Sequence, residues 1–168
     1  MSSLEDVFSV INRLRDAGVV EAYAVGGATA VLFYAEPART YDLDVFVIVR
    51  AADEHELAPL AGIYDWARAQ GYETEAEHIL IEGVPVQFLP TYTALVEESV
   101  RDARVLSYGA VPVRVVGPEH LVGLALQTGG AKRRERAYQL LESGDVDRVL
   151  LRDLLTRHGL STEILDGA

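Results

Sequence analysis

The chain has 168 residues, 49% hydrophobic and 24% charged, a composition that points to one globular domain and argues against disorder. Its net charge of −11, from 26 acidic residues against 15 lysines and arginines, opposes general binding to duplex nucleic acid, where affinity comes largely from neutralising phosphates. The absence of cysteine excludes disulfides and thiolate metal sites and makes the cytoplasm the default compartment, while no apolar run approaches the roughly 20 residues of a membrane span.

Ser3 is placed to cap a first helix whose stripe is Leu4, Val7, Phe8, Ile11 and Leu14, with Gly18 ending it. Met1 to Asp6 lack the basic and apolar regions of a signal peptide. Residues 21–25 read as a short strand entering Gly26-Gly27, and 28–34 as a short helix stopped before Pro37. Residues 43–49 are apolar on both faces, as in a central strand. Asp53 and Glu56 resemble a capping box for a helix carrying Leu57, Leu60, Ala61 and Tyr64, closed by Gly71.

Residues 72–81 and 84–89 read as two strands of a hairpin turning at Glu82-Gly83. Residues 91–100 read as a helix. Residues 105–108 and 111–116 form a second hairpin through Gly109-Ala110, where Pro112 is tolerable only near an edge. From Pro118 the pattern is helical, over 120–127, 132–141 and 147–157. The expected fold is α/β (α+β): a mixed sheet flanked by helices, in a single domain over 1–168. Residues 1–117 make the α/β core and 118–168 a helical C-terminal segment.

The chemistry concentrates in Gly26-Gly27 and in Asp42-Leu43-Asp44. Alternate residues of a strand share a face, so Asp42 and Asp44 project together, their Cα atoms roughly 6.6 Å apart. Two bare carboxylates at about 5 Å repel by about 3 kcal/mol at an effective dielectric near 20, and a divalent cation turns that repulsion into coordination. A Gly-Gly turn opening a helix offers free backbone N–H groups to phosphate. Each motif has a plainer reading: a solvated strand start for the acids, a tight turn for the glycines. Lys132-Arg133-Arg134-Glu135-Arg136 is the one concentrated basic patch. It is either a solvated helix face or a contact for triphosphate and an anionic acceptor. His55, His78, His120 and His158 show no metal-ligand spacing, and no serine–histidine–acid motif is present.

Together these residues resemble the nucleotidyltransferases of the DNA polymerase β-like superfamily, particularly the small bacterial type related to abortive-infection toxins. The matching residues are Gly26, Gly27, Arg39, Thr40, Asp42 and Asp44. Residues 83–89 look like the strand that carries a third carboxylate in that group, and Glu119 to Lys132 like its helical segment with a lysine. The resemblance implies transfer of a nucleoside monophosphate from an NTP to a hydroxyl acceptor, with Mg2+ or Mn2+ as cofactor. It makes Asp42 and Asp44 metal ligands and catalytic residues. Gly26, Gly27, Arg39, Thr40 and Lys132 become nucleotide-binding residues.

Two departures stand beside these matches. Gln87 occupies the place of the third carboxylate, and a neutral amide is a weak ligand that cannot act as a base. Glu75, Glu77 or Glu82 would have to substitute, although Glu73, Glu75 and Glu77 alternate as a solvent face does. Arg133 replaces an acidic residue usual after the lysine. Two readings follow: a nucleotidyltransferase with an incomplete carboxylate triad, or a catalytically degenerate module that binds nucleotide or protein.

Overall fold

A computed structural model describes residues 4–34, 42–49, 59–143 and 145–167. Arg39 and Thr40, the Ser3 cap and the Asp53/Glu56 capping box lie outside them.

Helix α1 (Leu4–Asp16) buries Val7, Phe8, Val10, Ile11 and Leu14, the expected stripe with Val10 added and Leu4 only partly buried. It leads to β1 (Ala22–Gly26), α2 (Gly27–Val31) and β2 (Leu43–Ile48). Helix α3 (Ala61–Ala69) follows, then β3 (Glu73–Glu75), β4 (His78–Ile81), β5 (Val84–Pro90) and α4 (Ala94–Arg101). Strands β6 (Arg104–Tyr108) and β7 (Val111–Val115) precede α5 (Pro118–Thr128), α6 (Ala131–Glu142), α7 (Arg148–Arg157) and the short α8 (Glu163–Asp166).

The seven strands form one mixed sheet in the order β3-β4-β5-β2-β1-β7-β6, which puts β2 at its centre. β2 runs antiparallel to β1 and parallel to β5, so its backbone is paired on both sides. That is why its sequence can be apolar on both faces. Val45 and Val47 point one way; Asp44 and Phe46 point the other.

One expected strand is two. The stretch 72–81 is broken at Ala76, whose φ of 55° reverses the chain, so β3 and β4 pair as a hairpin before β4 turns into β5. The second turn falls where the sequence places it: Glu82 (φ 50°) and Gly83 (φ 81°) are both left-handed, as a two-residue hairpin turn requires. Pro112 lies opposite Ser107 on β6, while the recorded bridge between β7 and β1 is Val25–Val115. Its missing donor therefore faces no β1 partner in that pairing.

One sheet face is covered by α1 and α3, where Ile11, Leu14, Ile63 and Ala67 meet Ile79, Ile81 and Phe88. Helix α4 packs on β1 and β2, and α5 joins α4, α6 and α7. The buried core runs continuously from Val7 through Leu121, Leu140 and Leu154 to Leu165, so the helical C-terminal third shares it. Among the described residues no helix is long and apolar enough to cross a membrane.

Candidate active site

Asp44 is the centre of a row that crosses four strands. It pairs with Gly26 on β1 and with Gln87 on β5, and Gln87 in turn pairs with His78 on β4. Residues in register on neighbouring strands share a face, so Asp44, Gln87 and His78 face the same side. Asp42, two residues before Asp44, projects there too, its Oδ2 lying 3.7 Å from His78 Nε2. The Thr29 hydroxyl, from α2, donates to the Asp42 carbonyl at 3.3 Å and anchors the start of this segment.

The two glycines are there for close approach. Gly27 has a φ of 60°, and a Cβ on it would lie 2.5 Å from Asp44 Oδ2. A Cβ on Gly26 would meet the Phe46 ring at 2.3 Å. α2 is only five residues long, so attraction for an anion rests on its free N–H groups more than on a long dipole.

Asp44 is held at an electrostatic cost. Burial, and then the Asp42 carboxylate, push its carboxyl above the usual range, against the opposing pull of His78, Arg136 and Arg133. A cleft of about 150 Å³ opens beside it, walled by Phe46, Leu89, Leu121 and Leu124, with Tyr92, Arg133 and Arg136 at its lining. Arg136 is half-buried, and burial followed by the neighbouring Arg133 lowers it from the usual arginine value while Asp44 raises it.

The structure thus brings together Gly26, Gly27, Asp42, Asp44 and Gln87. Lys132 is exposed on α6 and does not line the cleft; Arg133 and Arg136, three residues apart on one helix face, do. The sequence offers the basic patch 132–136 as a whole, and the structure singles out Arg133 and Arg136 within it; sequence reasoning missed Tyr92 and His78. Along the chain His78 has no ligand spacing; its neighbours lie across strands, Gln87 on β5 and Asp42 before β2.

A second polar cluster has a structural task. Glu98, Asp102 and His120 present oxygen and nitrogen atoms within 4.8 Å of one another, a set capable of holding a metal ion. Yet Glu98 is already engaged: Arg157 donates to its Oε1 at 2.6 Å, and its Oε2 lies 2.8 Å from His120 Nε2 and 3.3 Å from His158 Nε2. This ties α4, α5 and the end of α7 together. Glu119, 3% exposed, accepts from the Asp147 backbone N–H at 2.8 Å and so positions the start of α7.

A mixed sheet with a carboxylate pair at the mouth of its central strand, beside a glycine turn, defines a nucleotidyltransferase-like α/β protein. Residues 3–155 match the family described as "Nucleotidyl transferase of unknown function (DUF2204)", and the chain belongs to that family. Among solved structures it is similar to an antigenic nucleotidyltransferase-like protein from Paracoccidioides brasiliensis, with a TM-score of 0.57 and 16% identity over 83% of this chain and 74% of that one. It is also similar to the antibiotic-resistance factor ANT(2'')-Ia, with a TM-score of 0.51 and 14% identity over 94% of this chain and 92% of that one. At such identities the likeness is one of fold. No curated protein matches.

Proposed function

We propose that the chain transfers a nucleoside monophosphate from an NTP to a hydroxyl acceptor, using a divalent cation, Mg2+ or Mn2+, held by Asp42 and Asp44. The observation that carries this reading is the contact between Gly27 and Asp44. A half-buried carboxylate kept costly by its burial and by a second carboxylate, with a glycine where a Cβ would occupy its oxygen, is a donor set suited to a cation. The cation, when bound, neutralises the two carboxylates and the phosphates brought beside them.

The chain's own residues supply position and charge. The Gly26 and Gly27 backbone approaches the outer phosphates without a side chain in the way. Arg133 and Arg136 offer guanidinium groups from the opposite wall, with Lys132 one residue beyond. Arg39 and Thr40 belong to the proposal through the motif alone. The acceptor oxygen bonds the α-phosphorus, the bond to the pyrophosphate bridging oxygen breaks, and the hydroxyl proton is lost to water. Catalysis of this kind is mostly orientation and charge stabilisation.

The toxin-like subtype rests on the glycine and aspartate motif and adds nothing about the acceptor. One observation favours the alternative of a nucleotide-binding module without chemistry: Gln87, not a carboxylate, is Asp44's partner on β5.

Incubation with each labelled NTP, Mg2+ or Mn2+ and cell extract separates the two. Labelled product that disappears in Asp44→Asn supports transfer; tight NTP binding without product supports the module. Gly27→Ala is a second check. A left-handed alanine costs about 1–2 kcal/mol, and its methyl group would displace Asp44, so both the urea midpoint and NTP affinity should fall. An unchanged NTP affinity in that variant would remove the phosphate-cradle assignment.

A further inference from the structure

Away from the cleft, side chains from α4, α5 and the end of α7 converge on the Glu98 carboxylate. We propose that Glu98, Asp102 and His120 form a second metal site, one that takes Zn2+ and fastens α4 to α5. The inference stands apart from the nucleotidyltransferase reading and does not need it.

Placement comes first. Glu98 and Asp102 lie four residues apart, at the end of α4, so both carboxylates stand on one face of that helix. His120, in the first turn of α5, is only 7% exposed, and its Nε2 lies 2.8 Å from Glu98 Oε2. One ligand atom from each of the three residues lies within 4.8 Å of the other two. A tetrahedral ion with bonds of about 2.0–2.1 Å holds its ligand atoms roughly 3.4 Å apart. The Glu98–His120 contact therefore opens by about half an ångström to admit it, while Asp102 closes in. Asp102 is exposed, which gives its side chain room to turn and the ion a way in from solvent.

Charge favours a cation there. Like charges four residues apart on a helix repel. The Arg157 guanidinium is shared, donating to Glu98 Oε1 at 2.6 Å and to Asp153 Oδ2 at 2.8 Å. With the imidazoles neutral, Glu98, Asp102 and Asp153 are three negative groups around that one positive one. Arg157 leaves Glu98 Oε2 to the histidines, His120 at 2.8 Å and His158 at 3.3 Å. A bound ion takes the place of the proton between Oε2 and His120. Arg157 and His158 then hold the carboxylate in position, as outer partners of a metal ligand do.

Ligand type selects the metal. Mg2+ and Mn2+ suit oxygen ligands, whereas imidazole nitrogen suits zinc and its neighbours. Zn2+ accepts His and carboxylate together and is four-coordinate, so three protein ligands leave one position for water. No ligand spacing marks the site along the chain, because His120 follows Glu98 by 22 positions and meets it only through helix packing.

The test uses the full chain, stripped with a chelator and titrated with Zn2+ alone. Calorimetry should show binding, and the Tm should rise with Zn2+. In protein grown with 15N-histidine, Zn2+ should move the His120 Nε2 resonance to the metal-bound range without any substitution being made. Asp102→Asn, at an exposed position, should weaken Zn2+ by about tenfold or more, the scale on which even outer partners act. His120→Gln should abolish binding, and circular dichroism checks that this variant folds. Asp42→Asn/Asp44→Asn should bind Zn2+ as the wild type does. Zn2+ that leaves the His120 resonance in place overturns the proposal, as does affinity unchanged in Asp102→Asn. Binding lost in Asp42→Asn/Asp44→Asn assigns the ion to the cleft and also overturns it, while leaving the nucleotidyltransferase metal site standing.

Discussion

Gln87 stands directly across from Asp44 in the parallel pairing of β2 with β5. The amide is thus the immediate neighbour of a carboxylate already pushed up by burial and by Asp42. A third negative charge at about 5 Å would add roughly 3 kcal/mol of repulsion at an effective dielectric near 20. Glutamine avoids that repulsion in the metal-free chain and forfeits a ligand and a base.

Gln87→Asp should therefore lower thermal stability without metal and recover it with metal. The Mn2+-induced rise in Tm should exceed that of wild type, measured in a titration at neutral pH. If general-base assistance is what the chain lacks, transfer should increase, by up to about 10²–10⁴-fold. A metal-free Tm equal to wild type would show that residue 87 does not face the aspartates.

The basic groups at the cleft are separable by position on α6. Arg136 is half-buried and lines the cleft with Asp44, whereas Lys132 is exposed outside it. Arg136→Ala should weaken NTP more than NMP, by about tenfold or more for loss of a charge-assisted contact. Lys132→Ala should change NTP affinity by less. Calorimetry with both nucleotides decides; a larger loss from Lys132→Ala would restore the lysine to the role its sequence position suggests.

Local pattern carried much of the fold. The continuous apolar run of β2, the stripe of α1 and the Glu82-Gly83 turn each encode their geometry within a few residues. The sequence reads β3 and β4 as one strand because the left-handed Ala76 has no glycine or asparagine to announce its turn. The site was half legible. Gly26-Gly27 and Asp42/Asp44 are local signals and came together. His78 was readable in principle, since a two-residue turn at 82–83 sets Ile81 opposite Val84 and, by counting back, His78 opposite Gln87. Tyr92 was not, and within the legible basic patch of α6 the sequence does not say that Arg136 rather than Lys132 lines the cleft, because that depends on packing that no short-range pattern specifies.

Glu98 predicts an acid-dependent stability. Burial raises its carboxyl, but hydrogen bonds from Arg157 and His120 outweigh this and hold it at about 2, below the ordinary 4.5. A depressed carboxylate stabilises the fold fully above its unfolded value and loses that contribution as pH falls from about 4.5 through about 2. Its size at neutral pH is on the order of 2–3 kcal/mol. Glu98→Gln should lower the urea midpoint at pH 7 and flatten the loss of stability between pH 4.5 and 2. Equal acid profiles for variant and wild type would place the acid-sensitive group elsewhere.

Asp44 should behave in the opposite sense. Its folded carboxyl is raised above 3.8, so ionisation opposes folding: the favourable contribution is complete below 3.8 and is lost as pH rises through the folded value. Asp44→Asn removes the charge and keeps the shape. In metal-free solution at pH 7 the variant should melt higher than wild type, and the gain should shrink as pH falls toward 3.8 and the wild-type carboxyl becomes neutral. Adding Mn2+ should raise the Tm of wild type and leave the variant unmoved, because ligand binding stabilises only the state that binds. The two melting curves should therefore cross as metal is added. A variant less stable than wild type without metal would show that Asp44 is retained for packing or hydrogen bonding; a variant that still responds to Mn2+ would show that Asp42 holds the cation without it.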